Sequence, residues 1–213
     1  MANPKSNIRG QSDNFRIKIV NDLAEICRVA AGEIVHLANR TPSVSKPFSV
    51  ALSGGSTPRR LHVLMAGDPA VRDRLPWHRM HFFWGDERHV PPDHPQSNYR
   101  MACETLLSLA SVPAENIHRV PSEEPDAVLA AEKYEQELQT FFALEADRLP
   151  RFDCILLGMG PDGHTASLFP GTEALNEIKR LVVANWVEKY KTCRITLTVP
   201  VLNHADLIIF LVS

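Results

Sequence analysis

Asp162 and His164 stand two residues apart in a glycine-rich run, Gly158-Met159-Gly160-Pro161-Asp162-Gly163-His164-Thr165-Ala166-Ser167-Leu168-Phe169-Pro170. An imidazole, with an ordinary pKa of about 6.5, can take a proton from water near neutrality. A carboxylate beside it can fix its tautomer and stabilise the cation that forms. His164 is therefore a candidate general base and Asp162 its candidate partner. Spacing leaves two points open: residues i and i+2 often point apart, and a histidine here could simply cap the turn. Gly160 and its neighbours would let backbone approach a ligand closely. The run formally matches G-x-G-x-x-G, but a dinucleotide site is a poor reading. Asp162 would repel a pyrophosphate, and Pro170 interrupts the chain before a full crossover helix could form.

A second segment, Ser53-Gly54-Gly55-Ser56-Thr57-Pro58, has the makings of an anion cradle. Two glycines allow N–H groups to point inward, the hydroxyls add donors, and Pro58 suits a first helical turn with Thr57 as its N-cap. The positive end of that helix would face the loop. No Gly-Lys-Ser/Thr follows, so this is not a Walker A loop. A tight strand-to-helix turn is the plainer alternative.

A third segment, Gly85-Asp86-Glu87-Arg88-His89, gathers two carboxylates, a guanidinium and an imidazole. Arg88 could bind phosphate or carboxylate in bidentate fashion, oriented by Asp86 or Glu87. A solvated charged turn is the alternative. Asp93 and His94 make a metal conceivable, yet the spacing fits no compact ligand set. Arg194, within Thr192-Cys193-Arg194-Ile195-Thr196-Leu197-Thr198, could reach an anion or simply cover the surface. No G-x-S-x-G elbow is present.

The elements that must hold these residues alternate. Helical periodicity covers Asn21 to Asn39, Pro58 to about Met65, Ser97 to about Leu109 and Asp126 to Arg148. Apolar runs at Phe48–Leu52, Met80–Trp84, Phe152–Leu157, Leu181–Trp186 and Leu207–Val212 predict strands, and Ile117–Val120 a short one. Thr41–Pro47 predicts a turn-rich break. Strands separated by helices predict an α/β fold with a mostly parallel sheet covered on both faces. Ligands in such sheets bind outside the carboxyl ends of the strands, where all three candidate loops would lie.

Composition narrows the classes. The 213 residues, 44% hydrophobic and 23% charged, suit one sizeable globular domain. A net charge of -2 provides no field for nucleic acid or an anionic membrane, so an anionic ligand needs local groups. Cys27, Cys103, Cys154 and Cys193 are widely spaced, which predicts reduced thiols in a cytoplasmic protein. Met1 to Asp13 is polar and lacks a secretory h-region, predicting a flexible lead-in followed by a first strand before residue 20.

The motifs together resemble the glucosamine-6-phosphate isomerase/6-phosphogluconolactonase superfamily, on its lactonase side. The resemblance rests on Ser53–Pro58, on Trp84–Arg88 with Ser97-Asn98-Tyr99, on Leu157–Pro170, and on Arg194–Thr198 with Pro200, Leu202 and Asn203. It implies a Rossmann-like three-layer sandwich similar to glucosamine-6-phosphate deaminase and ribose-5-phosphate isomerase. It implies hydrolysis of 6-phosphogluconolactone to 6-phosphogluconate, with no metal or organic cofactor. His164 would be the catalytic base with Asp162 beside it. Ser53, Gly54, Gly55, Ser56, Thr57, Asp86, Arg88, Gly160 and Arg194 would hold the substrate. The expected partner is a small sugar phosphate lactone, with neither nucleic acid nor membrane, and the chain would be a monomer or weak homo-oligomer. An isomerase–deaminase of the same superfamily, which resembles Asp-Glu-Tyr where this chain has Asp86-Glu87-Arg88, and a non-catalytic sugar-phosphate sensor remain as alternatives.

Lactonases of this kind continue past the last strand with a Gly and, shortly beyond, a Lys that begins a final helix. This sequence ends at Ser213, so the resemblance predicts a truncated domain and assigns no phosphate-binding lysine. A form extended by that helix is expected to melt higher and bind substrate more tightly. Equal melting temperature and affinity in the two forms would contradict this.

Overall fold

The computed structural model describes residues 15–40 and 46–213. The predicted lead-in through Asp13 and residues 41–45 of the predicted break lie outside them. Residues 15–20 form no strand, contrary to the expected first strand.

Helix α1 (Leu23–Arg40) begins where Asp22 Oδ1 accepts from the Glu25 amide at 2.7 Å. It buries Cys27, Ala30, Ala31, Ile34, Val35 and Ala38 on one stripe. Strand β1 (Phe48–Leu52) is buried throughout, as a central parallel strand must be. Next come α2 (Ser56–Gly67), a short α3 (Pro69–Arg72) and β2 (Met80–Trp84). Strand β3 (Asp86–Arg88) leads to α4 (Asn98–Ala102), whose last turns widen into a π-helix at Cys103–Leu107. Helix α5 (Ala127–Phe141), β4 (Cys154–Gly158), β5 (Val182–Val187), β6 (Thr192–Leu197), α6 (Val199–Asn203) and β7 (Ile208–Leu211) complete the order.

Four strands form a parallel sheet in the order β2-β1-β4-β7, flanked by helices, as the alternation of elements predicts. From β1 the chain crosses to β2 on one side, while β4 lies on the other. That reversal of strand order opens the crevice in which α/β proteins bind ligands. Asp153 Oδ2 pins β1 to β4 by accepting from both the amide and the hydroxyl of Ser49, each at 2.8 Å.

A second sheet was not anticipated: β3-β6-β5, antiparallel. Gly85 joins it to the first. Its amide donates to the Leu52 carbonyl of β1 at 2.8 Å, and its carbonyl accepts from the Leu197 amide of β6 at 2.9 Å. The chain thus leaves the parallel sheet at Trp84 and enters the antiparallel one at Asp86. Strand β5 belongs to this second sheet. The predicted strand at Ile117–Val120 is reduced to a single bridge between Ile117 and Phe82. Helix α5 ends at Phe141, not Arg148, because Phe142 leaves helical geometry and Ala143 takes a positive φ of 48°.

Helix α5 fixes both sheets. Tyr134, fully buried, accepts from the Trp84 amide at 2.8 Å and donates to the Trp84 carbonyl at 3.0 Å. Glu135 Oε2 accepts from the Leu181 and Val182 amides that open β5, at 2.8 and 3.0 Å. Replacing Tyr134 by Phe leaves both Trp84 backbone groups unpaired in the core. Y134F is therefore expected to lose about 1–3 kcal/mol of stability in urea unfolding, with the m-value unchanged.

Candidate active site

The parallel register brings Leu52, Trp84, Gly158 and Leu211 to one edge of the sheet. The three loops singled out in the sequence meet there around a cavity of about 350 Å3. Ser53, Gly54, Gly55, Ser56, Thr57, Asp86, Arg88, Gly160, His164 and Arg194 all line it. Asp162 does not. It stands behind the imidazole and faces a larger groove of about 890 Å3 along β5. Among the described residues no unpaired buried side-chain atom lines that groove, whereas several line the smaller cavity, which is the candidate site.

Asp162 does reach His164, closing the question that spacing left open. Its Oδ1 is 2.5 Å from His164 Nδ1. Its Oδ2 accepts from Lys189 Nζ at 3.2 Å. The imidazole hydrogen bond above all holds the Asp162 carboxyl far below the usual carboxylate range; desolvation opposes it, and the Lys189 ammonium adds a smaller lowering. An ionised carboxylate only accepts hydrogen bonds, so in the neutral imidazole Nδ1 carries the proton and Nε2 keeps its lone pair.

The ring is held on two further sides. Phe169 stacks on it at 4.0 Å between centroids and 23° between planes. Gly160 lies against its edge, where a Cβ would sit 2.1 Å from His164 Cε1. Glycine at 160 is thus a packing requirement of the imidazole. The turn that follows puts Ala166 at a φ of 47°, a conformation held by a hydrogen bond from the Leu168 amide to the Thr165 carbonyl. Ser167 Oγ then donates to Asp86 Oδ2 at 2.6 Å, tying this loop to β3.

Helix α2 opens onto the cavity. Its N-cap is Gly55, at a φ of 105°, with no side-chain cap, and Thr57 lies inside the helix rather than at its cap as expected. The first-turn N–H groups therefore remain available to an anion. Gly54 is needed for a different reason: a Cβ there would meet Asn98 Oδ1 at 2.0 Å.

The arginines are arranged otherwise than the sequence suggested. Neither Asp86 nor Glu87 orients Arg88. Glu87, buried, accepts from the amides of Arg88, Asn98 and Tyr99 and from Ser97 Oγ, and so builds the start of α4. Burial pushes its carboxyl up, and those amides pull it back. Arg88 is anchored by donating Nη1 to the Gln96 carbonyl at 2.7 Å. It lies directly opposite Arg194 in the β3–β6 pair. Arg88 Nε, Arg194 Nε and Nη1, and Ser53 Oγ are buried without a hydrogen-bond partner. Burial lowers the Arg194 guanidinium, and the facing Arg88 charge adds to that. Two like charges, partly desolvated and unpaired, call for an anion between them.

Lys189, Tyr190, Phe169 and Ser167 were not assigned roles from the sequence. Phe169 and Ser167 lay within a motif already singled out. Lys189 and Tyr190, in the 3-10 turn Glu188–Tyr190 between β5 and β6, carried no signal. Among the described residues no group of three His, Cys, Asp or Glu side chains converges as a metal site, and no helix is long and apolar enough to cross a membrane.

Residues 21–213 match the family model for glucosamine-6-phosphate isomerases/6-phosphogluconolactonase. The chain belongs to this family. A 6-phosphogluconolactonase of Nostoc is 49% identical over 78% of the chain, and one of Synechocystis is 47% identical over 78%. The match spans 66% of the length of each of these two relatives, just under two thirds. Among solved structures, a 6-phosphogluconolactonase from Trypanosoma cruzi superposes with a TM-score of 0.81 at 33% identity, covering 90% of this chain and 77% of that one. One from Thermotoga maritima gives 0.74 at 33% identity, covering 90% and 80%.

The unpaired donors make a prediction independent of any activity. Inorganic phosphate should raise the melting temperature, equivalent to about 2.7 kcal/mol at a hundredfold excess over Kd. R194M should remove most of that rise in a thermal-shift titration.

Proposed function

We propose that the chain is a lactonase that hydrolyses 6-phospho-D-glucono-1,5-lactone to 6-phospho-D-gluconate. The observation that carries this reading is a histidine, held at Nδ1 by Asp162, lining the same cavity as a set of unpaired anion donors. Membership of the family and the similarity to 6-phosphogluconolactonases of Nostoc and Synechocystis support it.

In the proposed reaction the phosphate binds where the α2 N-terminus, Ser53 and the arginines offer donors. Binding far from the reacting bond positions the lactone ring. His164 Nε2 takes a proton from water as the water oxygen attacks the lactone carbonyl carbon. Negative charge develops on the carbonyl oxygen, and cavity N–H groups left over from phosphate binding stabilise it. The bond from that carbon to the ring oxygen then breaks. The ring oxygen takes the proton back from His164 and becomes the hydroxyl of the product, whose new carboxyl ionises. Asp162 stabilises the imidazolium throughout and never needs to touch substrate. Its depressed pKa means it stays charged well into acid, so protonation of Asp162 should not be what limits the rate as the pH falls.

The isomerase–deaminase reading has no observation in its favour here, since Arg88 stands where that chemistry's tyrosine is expected. Four free cysteines fit our placement of the protein in the cytoplasm.

The test is lactone hydrolysis above the spontaneous background. H164A should lower kcat between about a hundredfold and ten-thousandfold while still binding 6-phosphogluconate in calorimetry. D162N should lower kcat by less. An unchanged rate in H164A would remove the imidazole from the mechanism.

A further inference from the structure

The turn between β5 and β6 is built to a fixed shape. Lys191 holds a positive φ of 48°, and its amide donates to the Glu188 carbonyl at 3.2 Å. Trp186 Nε1 donates to Glu188 Oε2 at 2.8 Å. A non-glycine residue in that conformation persists only where its surroundings hold it. The turn sends two consecutive side chains to two different parts of the site.

Lys189 reaches Asp162 at 3.2 Å. Tyr190 meets the edge of Phe169, with centroids 5.8 Å apart at 74°. Phe169 stacks on His164, and His164 bonds Asp162. The contacts close into a ring: Asp162, His164, Phe169, Tyr190 and, through the backbone, Lys189. Arg194 hangs on this ring, its guanidinium 5.5 Å from the Tyr190 centroid. With Nε and Nη1 unpaired and no salt bridge among the described residues, Arg194 has the Tyr190 face as its visible side-chain support. A desolvated guanidinium over an aromatic face is favourably placed.

We propose that Tyr190 is a positioning residue that holds Arg194 for anion binding and, through Phe169, sets the His164 ring. Its aromatic ring carries the role. The proposal rests on the lactonase reading only for the part concerning turnover. An anion on Arg194 then firms the same aromatic stack that holds the base. Tyr190 is half exposed at a hairpin turn, so its replacement leaves the core untouched.

The experiment compares Y190L, Y190F and the double variant Y190L/R194M with the native chain. Calorimetry with inorganic phosphate reads the Arg194 part without any turnover. Y190L is expected to weaken phosphate about tenfold, and Y190F to bind as the native chain does. In the R194M background Y190L should cost little further affinity, since the two act through one contact. Lactone turnover reads the His164 part: Y190L lowers kcat as well as raising KM, and Y190F restores both. Native phosphate affinity and native kcat in a folded Y190L would overturn the proposal. So would a Y190F as impaired as Y190L. Absence of turnover in the native chain would instead sink the lactonase reading, leaving the phosphate comparison to decide the role of Tyr190.

Discussion

Two arginines face each other across neighbouring antiparallel strands, and among the described residues neither guanidinium has a carboxylate. Directly opposed like charges disfavour strand pairing, and burying them adds to the cost. Arg88 and Arg194 are nevertheless a register pair of β3 and β6. The surrounding structure maintains this tension in every direction. Glu87, the obvious partner for Arg88, is engaged by the first amides of α4. Asp86 is engaged by Ser167. Helix α2 adds an uncapped positive end at the same cavity. A protein that spends its nearby carboxylates elsewhere keeps its cationic groups ready for an external anion.

The two sheets are what make that arrangement possible. A parallel sheet alone would bring the Ser53 and Gly158 loops together at its carboxyl edge, with α2 aimed between them. It would not supply a cationic wall. Gly85 hands the chain from one sheet to the other by hydrogen bonding to both, and the antiparallel sheet then raises Arg88 and Arg194 beside the cavity. Tyr134 and Glu135, adjacent on α5, hold one sheet each. Helix α5 and Gly85 thus hold the two sheets together without lining the cavity, and the Ser167–Asp86 hydrogen bond ties the loop of the base to β3.

On the other wall, precision comes from close approach rather than charge. Gly160 admits the imidazole edge, Phe169 covers its face, and Asp162 fixes its proton on Nδ1. Three contacts of different kind hold the ring in one orientation at the cavity. Preorganisation of this sort costs nothing at the moment of reaction.

The sequence by itself determined the parallel sheet, the order of its elements and the three loops that meet at its edge. Those features are local: apolar runs of strand length, helical periodicity, and glycine, proline and capping residues at the joints. It also singled out His164 and Arg88 at glycine-bearing strand ends and Arg194 among β-branched residues, each with a structural alternative that the family resemblance weighed against. What it missed was non-local. The strand at Asp86–Arg88 is too short and too charged to show a pattern, so the antiparallel sheet was invisible, and with it the pairing of Arg88 with Arg194. Glu87 looked like a partner for Arg88 because it is adjacent in sequence, whereas the amides of residues 98 and 99 lie eleven and twelve positions on. Tyr190 and Lys189 sit in an ordinary-looking turn, and only the hairpin that carries them decides that they reach Phe169, Arg194 and Asp162. Residue type and short-range spacing determined which groups could do chemistry; which of them face one another was decided by strand register and by a backbone turn, both properties of the assembled chain.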